Sequence, residues 1–296
     1  MGREEQIIQE RLRKLKELKA EGINPYPHKY EVKHYSEDLQ EKYKKLKEEA
    51  QTKDKVKVAG RLMTIRDLGK IAFASLQDSK GKIQITLQEK STPEEIRTFF
   101  KKYIDTGDFI GVEGIIFRTK RGELSILVKS LTLLTKSLAP LPDKWHGLQD
   151  KEERYRKRYL DLIMQPELKN VFEARTKTVN AIREYLTKKD YIEVDTPILQ
   201  PIYGGTSAKP FETELNALKM KVYMRISNEL YLKRLIAGGY EKIFEFSKDF
   251  RNEGIDATHN PEFLQVETMC AYADYKQNMD LVEEMVEHVV KKVCGK

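Results

Sequence analysis

From residue 55 to residue 137 the apolar side chains recur mainly at every second position, and a single helical stretch interrupts them. KVKVAGRL (55–62) alternates, and KIQITLQE (82–89) places Ile83, Ile85 and Leu87 on one face, as a half-buried strand requires. IAFASLQDS (71–79) lies between them and runs into the turn Ser79-Lys80-Gly81. TPEEIRTFFKKYI (92–104) reads as a helix. Thr92 is its candidate cap, Pro93 suits the first helical position, and Glu94 and Glu95 favour the N-terminal dipole. DFIGVEGIIFRT (108–119) and LSILVKSLTLL (124–134) return to strand. Strand-strand-strand-helix-strand-strand is the order of a five-stranded OB barrel, shared in part by other small β-rich domains.

Helices flank this segment. Residues 3–20 form one, with Ile8, Leu12, Leu15 and Lys19 on one stripe and Arg11, Arg13, Lys14 and Lys16 mostly on other faces. Gly22, Pro25 and Pro27 end it. A second helix is expected near 36–50, with Leu39, Tyr43, Leu46 and Ala50 on one side. The basic faces read as solvated, with an RNA-facing role as the alternative. SLAPLPDKWHG (137–147) looks like a linker, followed by helical patterning in KEERYRKRYLDLI and over 167–188. The expected organisation is a helical extension (1–54), an OB domain (55–137), a linker (138–150) and a second domain (151–296). A length of 296 residues suits two domains.

The hydrophobic fraction of 40% supports a packed core. No apolar run reaches the roughly 20 residues that span a bilayer, and the charged N-terminus lacks a signal-peptide core. Cys270 and Cys294 are too few for a disulfide framework, which points to a reducing cytoplasm and no membrane. A net charge of +7 is compatible with a nucleic-acid partner without establishing one. Phosphate-loop, dinucleotide, zinc-protease and nucleophile-elbow signatures are all absent. Any chemistry must come from dispersed residues.

Residues 190–272 supply them. DYIEVDTPILQPIYGG places Pro197 in a strand, which marks an edge or an interface, and Gly204-Gly205 allows close backbone approach. Ser227 suits the N-cap of a helix over 228–237, closed by Gly238-Gly239. Glu229 falls in its first turn, where a carboxylate ordinarily serves the helix dipole. In the strand over 241–253, Phe244, Phe246 and Phe250 share one face, and Ile243, Glu245, Arg251 and Glu253 the other. After the loop GIDATHN a return strand starts near Pro261. Phe263, Gln265, Glu267 and Met269 share one of its faces, and Leu264, Val266, Cys270 and Tyr272 the other. Such a hairpin presents Arg251, Glu253, Phe263 and Glu267 on one concave surface, with His259 and Asn260 in the loop above. Inward charges are costly unless paired. Two arrangements meet that demand: an anionic, aromatic-containing ligand, or an internal Arg–Glu network.

The chain resembles a bacterial class II lysyl-tRNA synthetase of subclass IIb. The resemblance runs through RLRKLKELKAEGINPYP, GKIAFASLQDSKGKIQI, WHGLQDKEERYRKRYLDLI, YIEVDTPILQPIYGG (motif 1) and FRNEGIDATHNPEF (motif 2). GG–SAKPF and NELYLKRLIAGG point to the lysine enzyme rather than the aspartate or asparagine ones. It implies an α+β protein: preceding helices, an N-terminal five-stranded OB anticodon-binding domain, and an incomplete antiparallel-sheet catalytic domain. By that resemblance Arg251 bridges the lysine carboxylate and the ATP α-phosphate. Glu253, His259 and Asn260 contact ATP, and Phe263 stacks on adenine. Gly205, Glu229 and Glu267 bind lysine, with the division of its two amines between the glutamates left open. Phe73 stacks on an anticodon base and Gln84 reads a uridine; on residue type alone Phe73 would be a barrel-core side chain. The implied reaction uses ATP and Mg²⁺, makes lysyl-adenylate and pyrophosphate, and passes the lysyl group to tRNA(Lys).

Three positions depart from the family pattern: Asn228 for a proline, Thr206 for an alanine, and Met269 for an aromatic. After an amphipathic helix over 278–293 the family continues with Mg²⁺ ligands and motif 3. A homodimer using the Pro197 region, and a complementing C-terminal chain, are therefore expected partners. Two alternatives are a non-catalytic tRNA-binding protein and an aspartate or asparagine enzyme.

Overall fold

The computed structural model describes residues 2–142 and 148–295. The chain divides into two compact units, Met1–Met164 and Gln165–Lys296. The expected linker falls partly outside the described residues, at 143–147. The contact boundary at 164/165 lies beyond the expected boundary at 151, because helices α4 (Lys151–Arg156) and α5 (Arg158–Met164) group with the first unit.

The first unit is built on β1 (Gln51–Asp67), β2 (Ile71–Gln77), β3 (Lys82–Gln88), β4 (Phe109–Arg118) and β5 (Leu124–Thr135), with α3 (Glu94–Tyr103) between β3 and β4. They close into a barrel in the order β1-β2-β3-β5-β4. Only the β3–β5 pairing is parallel. The expected alternation holds: Ile83, Ile85 and Leu87 are buried with Val56, Val58, Ile110, Val112, Ile126 and Val128. Apolar burial on this scale stabilises at roughly 25 cal/mol per Å² removed from water. Thr92 does not cap α3. Its hydroxyl accepts from Gln88 N, and the cap position falls to Pro93. Tyr30 lies so close over β4 that a Cβ at Gly111 would fall 2.2 Å from its ring.

Helix α1 (Arg3–Ala20) has the expected limits, but its buried face is Arg11 and Leu18, not the Ile8/Leu12/Leu15/Lys19 stripe. The Arg11 guanidinium explains the difference. It donates to the carbonyls of Thr106, Ser137 and Ala139 at 2.8, 3.2 and 2.9 Å, closing off backbone acceptors beside the barrel. Below it, buried Lys136 pairs with Asp105 and Asp108, and Lys14 of α1 pairs with Asp105 at 2.7 Å. Helix α2 (Ser36–Lys42) stops well short of residue 50. Tyr43 there bonds Asp54 through its hydroxyl and accepts from Arg118 through its carbonyl, which turns the chain into β1.

The second unit carries α6 (Lys169–Lys188), β6 (Ile192–Glu193), β7 (Leu199–Gln200), β8 (Glu212–Leu215), β9 (Met220–Met224), α7 (Glu229–Ala237), β10 (Lys242–Phe250), β11 (Glu262–Cys270) and α8 (Tyr275–Cys294). One sheet runs β11-β10-β6 and another β7-β9-β8. Phe244, Tyr185, Leu186 and Tyr191 form the core, with Phe246, Val266, Cys270, Leu281 and Met285 packed against it. Thus α6 and α8 cover the Phe244 face of the hairpin and leave its polar face for other work. An Asp274–Gln277 capping box starts α8 earlier than the apolar stripe suggested. Tyr272 is not on the strand: β11 ends at Cys270, and Tyr272 is left-handed (φ 60°) and 95% exposed. Pro197 is not in a strand either. It lies exposed in the connection between β6 and β7, where its carbonyl accepts from Gln200.

Candidate active site and nucleic-acid face

The β10–β11 register sets Glu245 opposite Glu267, Ser247 opposite Gln265, and Asp249 opposite Phe263. All six fall on the face away from the Phe244 core, as the two-residue repeat requires. Three of them, Glu245, Ser247 and Asp249, are fully buried, so they need partners.

Arg225, just beyond β9, supplies the charge. Its Nη1 reaches Glu245 Oε1 at 2.7 Å and its Nε lies 3.2 Å from Asp249 Oδ1. Nε also donates to the Lys248 carbonyl and Nη1 to the Thr196 carbonyl. Glu245 is saturated further by Asn228 Nδ2 at 2.9 Å, Thr196 N at 3.1 Å and Thr196 Oγ1 at 2.8 Å. An internal Arg–Glu network therefore exists, but Arg225 makes it. Burial pushes the Asp249 carboxyl up, against the pull of Arg225.

Arg251 is left for other work. Its guanidinium sits 4.9 Å from the centre of the Phe263 ring, and its Nε makes a long 3.4 Å bond to the Ile226 carbonyl. A half-exposed guanidinium stacked on an aromatic ring offers its fork to a phosphate or carboxylate and the remaining ring surface to a base.

Ser227 joins the remaining elements. Its hydroxyl accepts from Glu229 N at 3.1 Å and donates to Glu267 at 3.2 Å. It is not the cap residue of α7; Asn228 holds that position without a side-chain cap bond. Gly205 has φ +93°, and a Cβ there would fall 2.7 Å from Ser227 Oγ and 3.1 Å from Glu229 Cβ. Gly205, Ser227, Glu229 and Glu267 thus converge. Glu229 pairs with Lys233 one turn along α7. Glu267 also accepts from Gln265 Nε2 at 2.7 Å, and the same nitrogen bonds Asp249. Burial pushes the Glu267 carboxyl above the usual range; Asp249 and Glu229 add to this, while Ser227 and Gln265 oppose it.

The motif 2 loop is brought less close. Glu253 accepts from Lys209 N at 3.3 Å, beside the Asn252 N bond to the Lys209 carbonyl. His259 is exposed and bonds Asp256 through Nδ1. The Thr258 backbone N–H, then the His259 ring, hold the Asp256 carboxyl far below the ordinary range. Asn260 is exposed on the same loop. No bond from His259 or Asn260 to Arg251, Phe263 or Glu267 occurs among the described residues.

Arg225, Thr196 and Asp249 are site-building residues that the sequence reading missed. Their one signal was Asp249, an acidic residue at an inward strand position two residues from Arg251. The departure at Asn228 has a structural use, since a proline could not donate to Glu245. Met269 lies on the site face opposite Ile243, and Thr206 is exposed.

On the barrel, Phe73 lies between buried Ala72 and Ala74 and is itself half-exposed. It faces outward, which excludes the core role its residue type suggested. Gln84, which pairs with Ser75 two residues along from Phe73, donates to Ser125 Oγ at 2.7 Å. No group of three or more His, Cys, Asp or Glu able to hold a metal occurs among the described residues. None of the described helices is long and apolar enough to cross a membrane.

Residues 150–296 match the family of class II tRNA synthetases (D, K and N), and residues 56–134 match the OB-fold nucleic acid binding domain. A lysine–tRNA ligase of Methanoculleus marisnigri is 47% identical over 95% of the chain and 55% of the relative. One of Thermotoga maritima is 48% identical over 97% of the chain and 57% of the relative. Lysine–tRNA ligase 2 of Methanosarcina mazei is 49% identical, covering 96% and 55%. The chain spans a little over half the length of these relatives.

Proposed function

Because the chain belongs to the class II tRNA synthetases (D, K and N) and carries an OB-fold nucleic acid binding domain, we propose that it is the lysine-activating and anticodon-binding part of a lysine–tRNA ligase. The observation that carries this reading is the pairing of an Arg251–Phe263 stack with a carboxylate cluster whose hub is Ser227. Adenylation of a basic amino acid needs both: a cation and an aromatic face for the nucleotide, and anions for the amines.

In this reading Arg251 holds the lysine carboxylate against the α-phosphate, and Phe263 receives adenine. A carboxylate oxygen attacks phosphorus, the bond to pyrophosphate breaks, and lysyl-adenylate forms. The terminal ribose hydroxyl of tRNA(Lys) then attacks the lysyl carbonyl, and AMP departs. No protein nucleophile is required; the protein contributes orientation and charge stabilisation. Glu253, His259 and Asn260 are proposed ATP contacts on a loop that meets the nucleotide only when it is bound. Magnesium has no built site among the described residues, and the buried acids are already committed to Arg225 and to amide or hydroxyl donors.

An aspartate or asparagine enzyme needs a cation for the substrate side chain. Glu229, Glu267 and Asp249 offer the opposite sign. The half-exposed aromatic Phe73 beside Gln84 supports anticodon binding on the barrel. Exposed Pro197, Ile198 and Leu199 support a dimer through the β6–β7 connection, and free Cys270 and Cys294 suit a cytoplasmic setting.

Arg251→Ala should reduce lysine-dependent ATP–pyrophosphate exchange by about 10³-fold or more in the full enzyme that contains these residues. Exchange retained near the normal rate would remove Arg251 from the reaction. Filter binding of tRNA in parallel separates a ligase from a non-catalytic tRNA-binding protein, which would bind RNA and show no exchange before mutation.

A further inference from the structure

We propose that Ser227 and Gln265 are positioning residues that hold Glu267 as a carboxylate without a protein counter-ion, so that the ammonium of the bound amino acid supplies that charge. The inference rests on the amino-acid-binding reading above and assigns to Ser227 and Gln265 the control of the charge on Glu267.

The two glutamates that face each other across the hairpin have opposite fates. Glu245 is neutralised by Arg225 and accepts from Asn228 and Thr196. Glu267 has only neutral donors, the Ser227 hydroxyl and the Gln265 amide, and forms no ion pair with any described residue. The charged groups around it are Glu229 with its partner Lys233 from α7, Glu245 and Asp249 from β10, Arg225 after β9, and Arg251 after β10. Arg225 is committed to Glu245 and Asp249, and Arg251 is stacked on Phe263. With Glu267 included, four carboxylates face three cations, and the unmatched charge costs free energy until a cation arrives.

Gln265 is suited to this arrangement because it is neutral. One amide nitrogen touches both Asp249 and Glu267, holding two like charges in place without cancelling either. A lysine at the same position would cancel one. Ser227 donates to the same Glu267 oxygen, Oε1, and is itself oriented by the Glu229 N–H. Gly205 leaves the space the hydroxyl occupies. Both donors favour the ionised carboxyl, so deleting either raises its pKa. Ammonium binding needs the ionised form. The acid limb of lysine binding should then move to higher pH.

The test is a ¹³C-glutamate NMR titration of the whole chain, with the Glu267 signal assigned by Glu267→Gln. It is joined to calorimetric binding of L-lysine and norleucine across pH. Ser227→Ala and Gln265→Leu should each raise the Glu267 midpoint by about one unit, the effect of losing one hydrogen bond to a charged group. The lysine limb should move by the same amount. Ser227→Thr, which keeps the hydroxyl, should retain the original limb. Gln265→Lys should weaken lysine about tenfold or more across the pH range while ATP binding persists. An unmodified chain that binds no lysine at any pH overturns the substrate reading and the ammonium half of the proposal together. Lysine binding with unmoved Glu267 midpoints in both deletion variants overturns the positioning role alone.

Discussion

Arg225 shows how much one side chain decides. It is 2% exposed and stands between Glu245 and Asp249, which are themselves buried. A buried ion pair need not be more stable than a well-packed apolar group, but removing one partner strands the other. Arg225→Ala should cost the second unit about 3–5 kcal/mol, read by urea denaturation of the whole chain. A loss below about 1 kcal/mol would mean that the two carboxylates are already solvated. On the sequence, Arg251 and Arg225 look alike. One ends as a buried structural counter-charge and the other half-exposed against the Phe263 ring. The difference lies in which carboxylates each can reach, not in local pattern.

Helices α6 and α8 hold each other through apolar packing and through carboxylates at their rims. Leu281 and Met285 of α8 enter the core shared with Tyr185 and Leu186 of α6. Glu184 of α6 pairs with Lys292 of α8 at 3.2 Å, and Glu284 of α8 pairs with Lys189 after α6. Lys188 and then Lys292 hold the Glu184 carboxyl down to about 2, against an ordinary value of 4.5. Glu284 is lowered as well, by Lys189 and then Tyr185. A carboxyl lowered in the folded state contributes stability above its unfolded pKa and loses it as pH falls through the folded one. Amide protection in α8 should therefore fall between pH 4.5 and pH 2, ahead of the barrel strands. Equal loss in both units at one pH would show that these pairs do not govern the α6–α8 contact. Helix α1 teaches a related lesson. Its limits were legible from Gly22 and the prolines, whereas its buried face was not, because the group that buries it is an arginine.

Across the whole chain, the two units carry separable parts of the proposed function. The barrel has its own continuous core, from Val56 to Leu133, together with Leu18 of α1. Phe73 faces away from that core, so shortening it should leave the barrel folded. Phe73→Ala should weaken binding of an RNA hairpin bearing the lysine anticodon by about 1–3 kcal/mol, with unchanged thermal stability and unchanged lysine binding. Loss of barrel stability in this variant would return Phe73 to a packing role.

Periodicity over 55–137 and the alternation along β10 and β11 are local properties. They specified the succession of elements along the barrel segment and the division of the hairpin into an apolar and a polar face, because a strand places neighbouring side chains on opposite sides wherever it sits. The places of Phe263 and Glu267 on the polar face were legible for the same reason, whereas β10 ends at Phe250 and leaves Arg251 and Glu253 beyond the strand expected to hold them. Pairing of charges was not. Arg225 and Glu245 are 20 residues apart, and Arg11 meets carbonyls 95 to 128 residues away. An ion chooses its partner by distance in space, and chain folding alone sets that distance.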